Sequence, residues 1–419
     1  MTTLAIAGGR QAVRRSVPAW PVAGDLEVAW MEGVIRSGHW SWRGPHETAF
    51  QREFAGFIGS KHAITLANGT VTMQCALQAL GVVPGDEVIV PGLTWVATAQ
   101  AAMDIGATVV FADIDPRTLT LCPRSFETCI TPRTKAVIPV HLYGAMCDMD
   151  AIMDIAGRHG LKVLEDVAHQ HGSRWRGRGA GAIGHAGSFS FQQSKVLTCG
   201  EGGAVTTDAD EVHDLVFTLK QVGWKPDLTP GNQYCHNYRL TEMQAVLLRG
   251  GLTRLPEQTR RREAAALRLA DGLDRLGGPL SVVRPDPRVT RQAYYALTLY
   301  FDPEKAGLPR DAYQWAAAEE GLCMGTTYPP VYRAPLMNLY AGTSPIPYRD
   351  PKTTPDYRNL KLPNVEKAVG ETALVLGHSC LLGDDAYIDE LLAAADKING
   401  QLPAVRAAWE KKQAALRTR

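Results

Sequence analysis

Residues 161–172 read LKVLEDVAHQHG, an apolar run that ends at two adjacent carboxylates, Glu165 and Asp166. Runs of the same kind, four to six residues long, recur on both sides of it, and helical patterns lie between most of them. Short apolar strands that alternate with helices predict an α/β fold with a mostly parallel sheet covered on both faces. The further runs are EVIV (87–90), TVVFA (108–112), KAVIPV (135–140), GSFSF (187–191) and GAVT (203–206), and the helical patterns are 70–80, 95–105 and 149–159.

The remaining chain predicts a division into three parts. Several Gly, Pro and Trp near the start indicate an irregular arm with one helix, and the stretch 221–238 predicts a long loop. A charged helix with a kink at Pro256 should follow. Beyond residue 278, a strand and several helices indicate a smaller α+β domain. The predicted parts are an N-terminal arm and helix (1–45), a large domain (46–260) and a small C-terminal domain (261–419), with helices at 24–36, 240–275, 310–320, 384–400 and 403–417 and a strand at 293–301.

Composition and charge exclude several classes of protein. The chain has 419 residues, 45% hydrophobic and 21% charged, which is typical of a globular protein. Its 44 basic and 43 acidic residues create no chain-wide basic field for nucleic acid. No apolar run approaches the ~20 residues of a membrane span, and the first residues lack the pattern of a secretory signal. The eight cysteines form no C-x-x-C pair, so we expect reduced core cysteines in a cytoplasmic protein.

Two charged residues are candidates for chemistry. Ligands of open parallel sheets gather at the carboxyl ends of strands, so Asp166 could hold a positive group of a ligand, or it could cap the next turn. Lys195 lies in SFSFQQSKVLTCGEGG (188–203), among Ser, Gln and apolar residues. Burial there would lower its pKa, and a desolvated lysine is the kind that forms Schiff bases. Taken alone, a single lysine is usually a solvated surface charge.

Two helix starts follow strands and could also contact a ligand. ANGTVTMQCALQAL (67–80) could bind an anion at its free N–H groups, or Asn68 or Thr70 could be an ordinary N-cap. In PGLTWVATAQAA (91–102), Trp95 could stack on a flat ligand or pack in the core.

Two further motifs carry less weight. GAGAIG (179–184) matches a dinucleotide fingerprint, but it precedes a strand rather than a helix, so we do not expect it to bind a nucleotide. His169 and His171 lack a third metal ligand at a sensible spacing, and we predict no metal site.

The four candidate elements together match the needs of pyridoxal phosphate. This cofactor needs a lysine for its aldehyde, a carboxylate for its ring nitrogen, an aromatic ring and an anion site for its phosphate. Their order along the chain resembles the fold-type I aminotransferases. Over nearly the whole chain, the wording resembles the DegT/DnrJ/EryC1/StrS family of sugar aminotransferases. The blocks are NGT, PGLTWVATAQA, TKAVIPVHLYG, EDVAHQHG, FSFQQSKVLTCGEGGAV and NYRLTEMQAVLL.

This resemblance implies a fold, a cofactor and an assembly. The fold would have a large domain, whose mostly parallel mixed sheet is sandwiched by helices, and a smaller C-terminal α+β domain. Pyridoxal phosphate would alternate with pyridoxamine phosphate, and a homodimer would share its active sites. Related dehydratases carry His at the position of Lys195, which favours transamination here. The implied contacts are Lys195 with the aldehyde, Asp166 with the ring nitrogen, Trp95 with a ring face, His169 (Gln in many relatives) with the ring or its 3-oxygen, Gly69, Thr70 and Ser190 with the phosphate, and Asn237 with the phosphate of the neighbouring subunit.

Within the family, the chain is most similar to glutamine-dependent 2-deoxy-scyllo-inosose aminotransferases of aminoglycoside biosynthesis. FSFQQSKVLTCGEGG, RQAYYALTLYFDP (291–303) and CMGTTYPPVY (323–332) carry this likeness. Two alternatives stay open: a nucleotide-linked keto-sugar as acceptor, and a dehydratase like 3-amino-5-hydroxybenzoate synthase. A DNA-binding regulator would need a module that the sequence does not show, and an NAD-linked oxidoreductase would depend on GAGAIG alone. Candidates for hydrogen bonds to a polyhydroxylated acceptor are Arg43, His141, Tyr294, Tyr295 and Tyr328.

Overall fold

The computed structural model describes residues 3–340 and 355–417, and it confirms the predicted α/β architecture. The strands are β1 (His62–Leu66), β2 (Glu87–Pro91), β3 (Thr108–Ala112), β4 (Thr134–Val137), β5 (Lys162–Asp166), β6 (Arg174–Trp175), β7 (Arg178–Gly179), β8 (Ala186–Ser190), β9 (Gly203–Thr207), β10 (Leu280–Val282), β11 (Val289–Arg291), β12 (Ala296–Phe301), β13 (Gly325–Thr326) and β14 (Ala373–Gly377). The helices are α1 (Asp25–Ser37), α2 (Pro45–Ile58), α3 (Gly69–Ala79), α4 (Ala97–Asp104), α5 (Pro123–Thr128), α6 (Met149–His159), α7 (Asp210–Lys220), α8 (Glu242–Leu276), α9 (Pro303–Ala306), α10 (Arg310–Glu319), α11 (Pro363–Lys367), α12 (Asp385–Asn399) and α13 (Leu402–Arg417).

A seven-stranded sheet forms the centre of the large domain. Its strand order is β1-β9-β8-β5-β4-β2-β3. Strand β9 is antiparallel to both of its neighbours, and the other adjacent pairs are parallel. The carboxyl ends of β1, β2, β5 and β8 therefore lie at one edge of the sheet, where ligands gather in folds of this kind.

Both faces of this sheet are buried. Val88 and Val90 contribute to one hydrophobic cluster and Ile89, between them, to the other, because successive side chains of a strand point to opposite faces. Helices α3, α4 and α7 cover the first face, and α2, α6 and α8 cover the second. Burial on both faces explains why the strands read as continuous apolar runs, each large side chain contributing about 1.5–3 kcal/mol.

A second, antiparallel sheet of order β10-β12-β14-β13 forms the smaller domain with α10, α12 and α13. Helix α8 connects the two regions, since its first half packs in the large core and its second half packs against the small sheet. Thr241 caps its start in a reciprocal pair with Gln244, and Gly277 ends it with a φ of +61°. Helix α8 is continuous through Pro256 and across the predicted domain boundary at 260/261. The domain boundary and the kink at Pro256 stay predictions.

The N-terminal arm packs on the small domain. The buried carboxylate of Glu320 accepts hydrogen bonds from the backbone N–H groups of Ala5 (2.8 Å) and Ala12 (3.0 Å). Among residues 3–340 and 355–417, no helix combines the length and the apolar character that a membrane span requires.

Candidate active site

A cavity of about 700 Å³ opens at the edge of the central sheet where β1, β2, β5 and β8 end. It brings together side chains from distant parts of the chain, as expected for a site at the carboxyl ends of parallel strands. The predicted site residues that line it are Gly69, Thr70, Trp95, Asp166, His169, Ser190, Lys195, Tyr295 and Tyr328.

Lys195 lies in the turn between β8 and β9 and faces this cavity. Its backbone N–H donates to the carbonyl of Gln192 (2.8 Å), and its Nζ lies 4.5 Å from the ring centroid of Tyr295. The residue is only 9% exposed. Burial lowers the pKa of Lys195 from 10.5 to about 8, and the nearby Asp166 carboxylate opposes this change. A substantial neutral fraction near pH 8 makes this amine a competent nucleophile.

Asp166 is the last residue of β5, and its carboxylate is fixed by two donors. The Thr98 hydroxyl donates to Oδ2 (2.8 Å), and the Ala168 N–H donates to Oδ1 (3.1 Å). Burial raises the pKa of Asp166, while these hydrogen bonds and the charge of Lys195 oppose the rise. Sequence reasoning missed Thr98, a hydroxyl-bearing residue in the first turn of α4, three residues after Trp95.

The start of α3 and the end of β8 approach closely at one end of the cavity. The Asn68 carboxamide oxygen accepts the N–H groups of Thr70 (3.0 Å) and Val71 (3.1 Å), which is an N-cap. A Cβ on Gly69 would lie 2.7 Å from the Cβ of Ser190, so only glycine allows this approach. The hydroxyl-bearing residues Thr70 and Ser190 thus line the cavity beside a helix start, a neighbourhood suited to an anion.

Aromatic rings form one wall of the cavity. Trp95 is 57% exposed, and its ring centroid lies 5.4 Å from that of Tyr328. The rings of His169 and Tyr295 are stacked, with centroids 3.9 Å apart and planes 14° apart. The Tyr295 hydroxyl is 3.1 Å from that of Ser194, beside Lys195. The ring of Tyr295 and the hydroxyl groups of Tyr295 and Ser194 therefore lie next to the buried amine.

His141 does not line the cavity, contrary to its selection as a substrate-binding candidate. Its side chain is fully buried. The backbone N–H of Cys147 donates to His141 Nδ1 (3.1 Å), so the ring hydrogen is on Nε2, which donates to Glu165 (3.0 Å). Both nitrogens are thus occupied inside the protein, and His141 has a structural role.

The glycines of GAGAIG bind a side chain of the protein itself. The Glu165 carboxylate accepts hydrogen bonds from the backbone N–H groups of Gly181 (3.0 Å), Ile183 (2.7 Å) and Gly184 (2.7 Å). A Cβ on Gly184 would lie 2.9 Å from the Val163 carbonyl oxygen, so glycine is required there. The segment therefore resembles a dinucleotide loop because both use successive backbone N–H groups to hold an anion.

Three other predicted residues also lie outside the cavity lining. Tyr294 is buried in the core of the small domain, with its side chain among apolar residues. Arg43 is exposed and has a φ of +51°. Asn237 is exposed in the loop before α8, and its carboxamide oxygen accepts the N–H of Arg239 (3.4 Å).

The buried His171 has a hydrogen-bond partner within the protein. The buried ring of His171 donates from Nε2 to the carbonyl of Ser190 (2.9 Å). In the part of the chain that the structure describes, no three His, Cys, Asp or Glu side chains are grouped as a metal site would require.

Comparison with known proteins adds an independent finding. The model of the DegT/DnrJ/EryC1/StrS aminotransferase family matches residues 22–372. The chain is 38% identical to a candidate L-glutamine:3-amino-2,3-dideoxy-scyllo-inosose aminotransferase of Streptoalloteichus tenebrarius, over 96% of this chain and 99% of the relative. It is also 38% identical to the L-glutamine:2-deoxy-scyllo-inosose aminotransferase of Streptomyces fradiae, over 95% and 98%.

A solved structure agrees with the sequence relatives. The crystal structure of 3-amino-5-hydroxybenzoic acid synthase has a TM-score of 0.80 and 32% identity, covering 91% of this chain and 98% of that one. The expected fold is therefore confirmed. By the match of its sequence and its architecture, the chain belongs to the DegT/DnrJ/EryC1/StrS aminotransferase family.

Proposed function

We propose that this enzyme uses pyridoxal phosphate to transfer the amino group of L-glutamine to the ketone of a cyclitol that resembles 2-deoxy-scyllo-inosose. The reaction would belong to the biosynthesis of an aminoglycoside or another antibiotic. The observation that carries the proposal is the buried Lys195 amine beside the Asp166 carboxylate in one cavity. The names of the relatives suggest the donor and the acceptor.

The residues of the cavity fit this cofactor. Lys195 supplies an amine of lowered pKa for the aldehyde, and Asp166 supplies a buried carboxylate for a protonated ring nitrogen. Trp95 offers an exposed ring face. Gly69 allows the start of α3 to lie close to Ser190. The N-terminus of a helix, with small side chains around it, is therefore available to bind the phosphate.

The protein residues then have distinct tasks. When bound, pyridoxal phosphate supplies an aldehyde that bonds to amines and a ring that withdraws electrons from the adjacent carbon. Asp166 keeps a proton on the ring nitrogen through a charge-assisted hydrogen bond. Lys195 Nζ accepts the proton from the Cα of L-glutamine as a general base. In the second half-reaction, it delivers a proton to the carbon that carried the ketone oxygen.

The acceptor would be oriented by hydroxyl groups on the aromatic wall. Tyr295 and Tyr328 line the cavity, with Tyr295 beside Lys195, and both can donate and accept hydrogen bonds with a polyhydroxylated ring. The names of the two relatives include an amino-bearing and an unaminated cyclitol ketone, so both ketones belong in the assay.

A homodimer with shared active sites is part of the proposal. Asn237 lies outside the cavity of its own chain, on an exposed loop, where it could reach a second subunit. Exposed apolar residues on α1, such as Val28 (68%) and Ile35 (58%), also favour an interface. A mixture of Lys195→Ala and Asn237→Ala chains would regain roughly a quarter of the wild-type activity, because half of the dimers would have one intact site. No recovery after subunit exchange would exclude sharing.

The central experiment is a visible spectrum of the purified enzyme with bound cofactor. We expect L-glutamine to bleach the absorption band and a cyclitol ketone to restore it, with ping-pong kinetics. Lys195→Ala should lose this band and all turnover, and full activity in that variant would refute the assignment.

A panel of ketones separates the acceptor classes. It should include 2-deoxy-scyllo-inosose, its 3-amino derivative, a nucleotide-linked keto-sugar and an aminoshikimate-type substrate. A structural match to 3-amino-5-hydroxybenzoic acid synthase makes the last compound a necessary test. Turnover of that compound alone would replace the cyclitol proposal. The cytoplasmic location stays a prediction from the cysteine pattern.

A further inference from the structure

We propose that Tyr143 is a positioning residue that holds His169 as the tautomer with its hydrogen on Nε2, so that His169 presents a hydrogen-bond donor to the cavity. Tyr143 itself is not among the residues that line the cavity. The tautomer follows from the geometry of the chain alone. The use of this donor toward a bound cofactor rests on the proposed function.

Tyr143 is hydrogen-bonded to three residues of the cavity wall. Its N–H donates to Nδ1 of His169 (3.2 Å), and its carbonyl accepts the N–H of Tyr295 (3.1 Å). Its hydroxyl accepts the N–H of Tyr328 (2.8 Å). Gln170 also donates its side-chain amide to the Tyr143 carbonyl (2.9 Å). Each polar group of Tyr143 therefore orients the wall.

The backbone of Tyr143 is unusual in a way that fits this role. It has a φ of +52°, in the left-handed region that residues with a Cβ rarely adopt. Such a conformation persists only where the surroundings over-determine it. The four hydrogen bonds and the burial of the ring supply that constraint.

The position of the N–H dictates the tautomer of His169. A backbone N–H can only donate, so Nδ1 must have a free lone pair, and the hydrogen of the neutral ring is on Nε2. Nε2 lies 3.4 Å from the hydroxyl of Tyr328, which also lines the cavity, so the Nε2–H is on the side of the ring that faces this wall. The stacking on Tyr295, with the planes 14° apart, fixes the plane of the ring. Rotating the ring by 180° about its bond to Cβ would place a carbon opposite the Tyr143 N–H.

The surroundings also disfavour a second proton on His169. Burial lowers the pKa of His169 most, and the positive charge of Lys195 and the neighbouring His171 and His378 lower it further. The pKa of His169 therefore lies well below its ordinary value. The other titratable groups that face the ring are phenols, those of Tyr143, Tyr295 and Tyr328. His169 would therefore stay neutral and would not compete with Lys195 for a proton.

A neutral imidazole held in this way does the same work as a primary amide. The carboxamide of glutamine could accept the Tyr143 N–H through its oxygen and donate to the cavity through its nitrogen. Methionine has a similar length but lacks both groups. The pair His169→Gln and His169→Met thus separates hydrogen bonding from packing.

The direct test is ¹⁵N NMR of the histidine rings in cofactor-free and cofactor-loaded wild-type protein, with His169→Gln identifying the His169 signals. Between about pH 5 and 8, where an ordinary histidine titrates, we expect an unprotonated Nδ1 and a protonated Nε2. A protonated Nδ1 in the cofactor-free protein would overturn the proposal. This measurement needs no turnover, so it stands even if Lys195→Ala disproves the proposed function.

The variants test the consequence. His169→Gln should keep kcat/KM within about threefold of the wild-type value. His169→Met should lower kcat/KM roughly 10–100-fold, which is the usual effect of removing a hydrogen bond to a charged group, here one of the bound cofactor. Equal losses in both variants, with unchanged thermal unfolding, would refute the donor role.

Tyr143→Phe is the matched control for the backbone contact. It removes only the hydroxyl that accepts the Tyr328 N–H, so the ring signals of His169 should keep their tautomer. A switched tautomer would refute the assignment to the backbone N–H. If the variant does not fold, the wild-type spectrum still decides.

Discussion

The low exposure of Lys195 has a thermodynamic consequence that can be measured without substrate. In the unfolded chain its pKa is near 10.5, and in the folded, cofactor-free protein burial lowers it to about 8, against the opposing charge of Asp166. Below about pH 8 both states carry the proton, so the folded state bears the full cost of the buried charge. Between about pH 8 and 10.5 the unfolded state binds more protons, and the free energy of unfolding therefore rises with pH.

The change Lys195→Met removes this titration while keeping the length of the side chain. At about 1.36 kcal/mol per pKa unit, the free energy of unfolding of the wild type relative to the variant should rise by roughly 2–3 kcal/mol between pH ~7 and ~10. It should change little between pH ~6 and ~7. The assay is urea unfolding of both cofactor-free proteins at equal concentration, so that any association contributes equally. A relative stability that is flat or falls with pH over this range would show that Lys195 is solvated and would remove the physical basis of its reactivity.

Three further substitutions test other parts of the site. Asp166→Asn should retain bound cofactor, seen by its absorption, but lose turnover, because a neutral amide does not hold a proton on the ring nitrogen. Glu165→Gln should lower the free energy of unfolding in urea by about 3–5 kcal/mol, since the amide nitrogen that replaces one buried carboxylate oxygen would face two N–H donors, either those of His141 and Gly181 or those of Ile183 and Gly184, while the KM for the ketone in the remaining folded enzyme stays unchanged. Gly69→Ala should weaken cofactor binding in a titration, because the new Cβ would push α3 away from Ser190.

The sequence predicted the central sheet well because burial on both faces leaves a continuous apolar run for each strand. The short strands β6, β7 and β13 contain two residues each, with Arg and Gly prominent, and carry no such run. Helix α2 was also not predicted, although Pro45 at its first position and the apolar spacing of Phe50 and Phe54 could have indicated it.

The order of the candidate residues along the chain was predictable, but the direction of each side chain was not. Tyr294 and Tyr295 are adjacent, and one packs in a core while the other lines the cavity. The strand predicted over 293–301 begins only at Ala296, so alternation along a strand does not apply to the two tyrosines. Likewise, His141 and Tyr143 follow β4 without regular structure, and only tertiary contacts determine where their side chains point.

Glu165 and Asp166 show how one strand end can divide structure from chemistry. As consecutive residues of β5 they point to opposite faces of the sheet, so one carboxylate enters the interior and the other faces the cavity. Glu165 ties β5 to the glycine-rich loop and to His141. The backbone N–H of His141 in turn donates to the carbonyl of Asp166 (3.0 Å), and the N–H of Asp166 donates to the carbonyl of Pro139 (2.9 Å). Because both its N–H and its carbonyl are hydrogen-bonded to the segment 139–141, Asp166 can present a buried charge toward Lys195 without an ion pair of its own to position it. If the Asp166 carboxylate keeps its position in the folded fraction of the Glu165→Gln variant, the two carboxylates act independently.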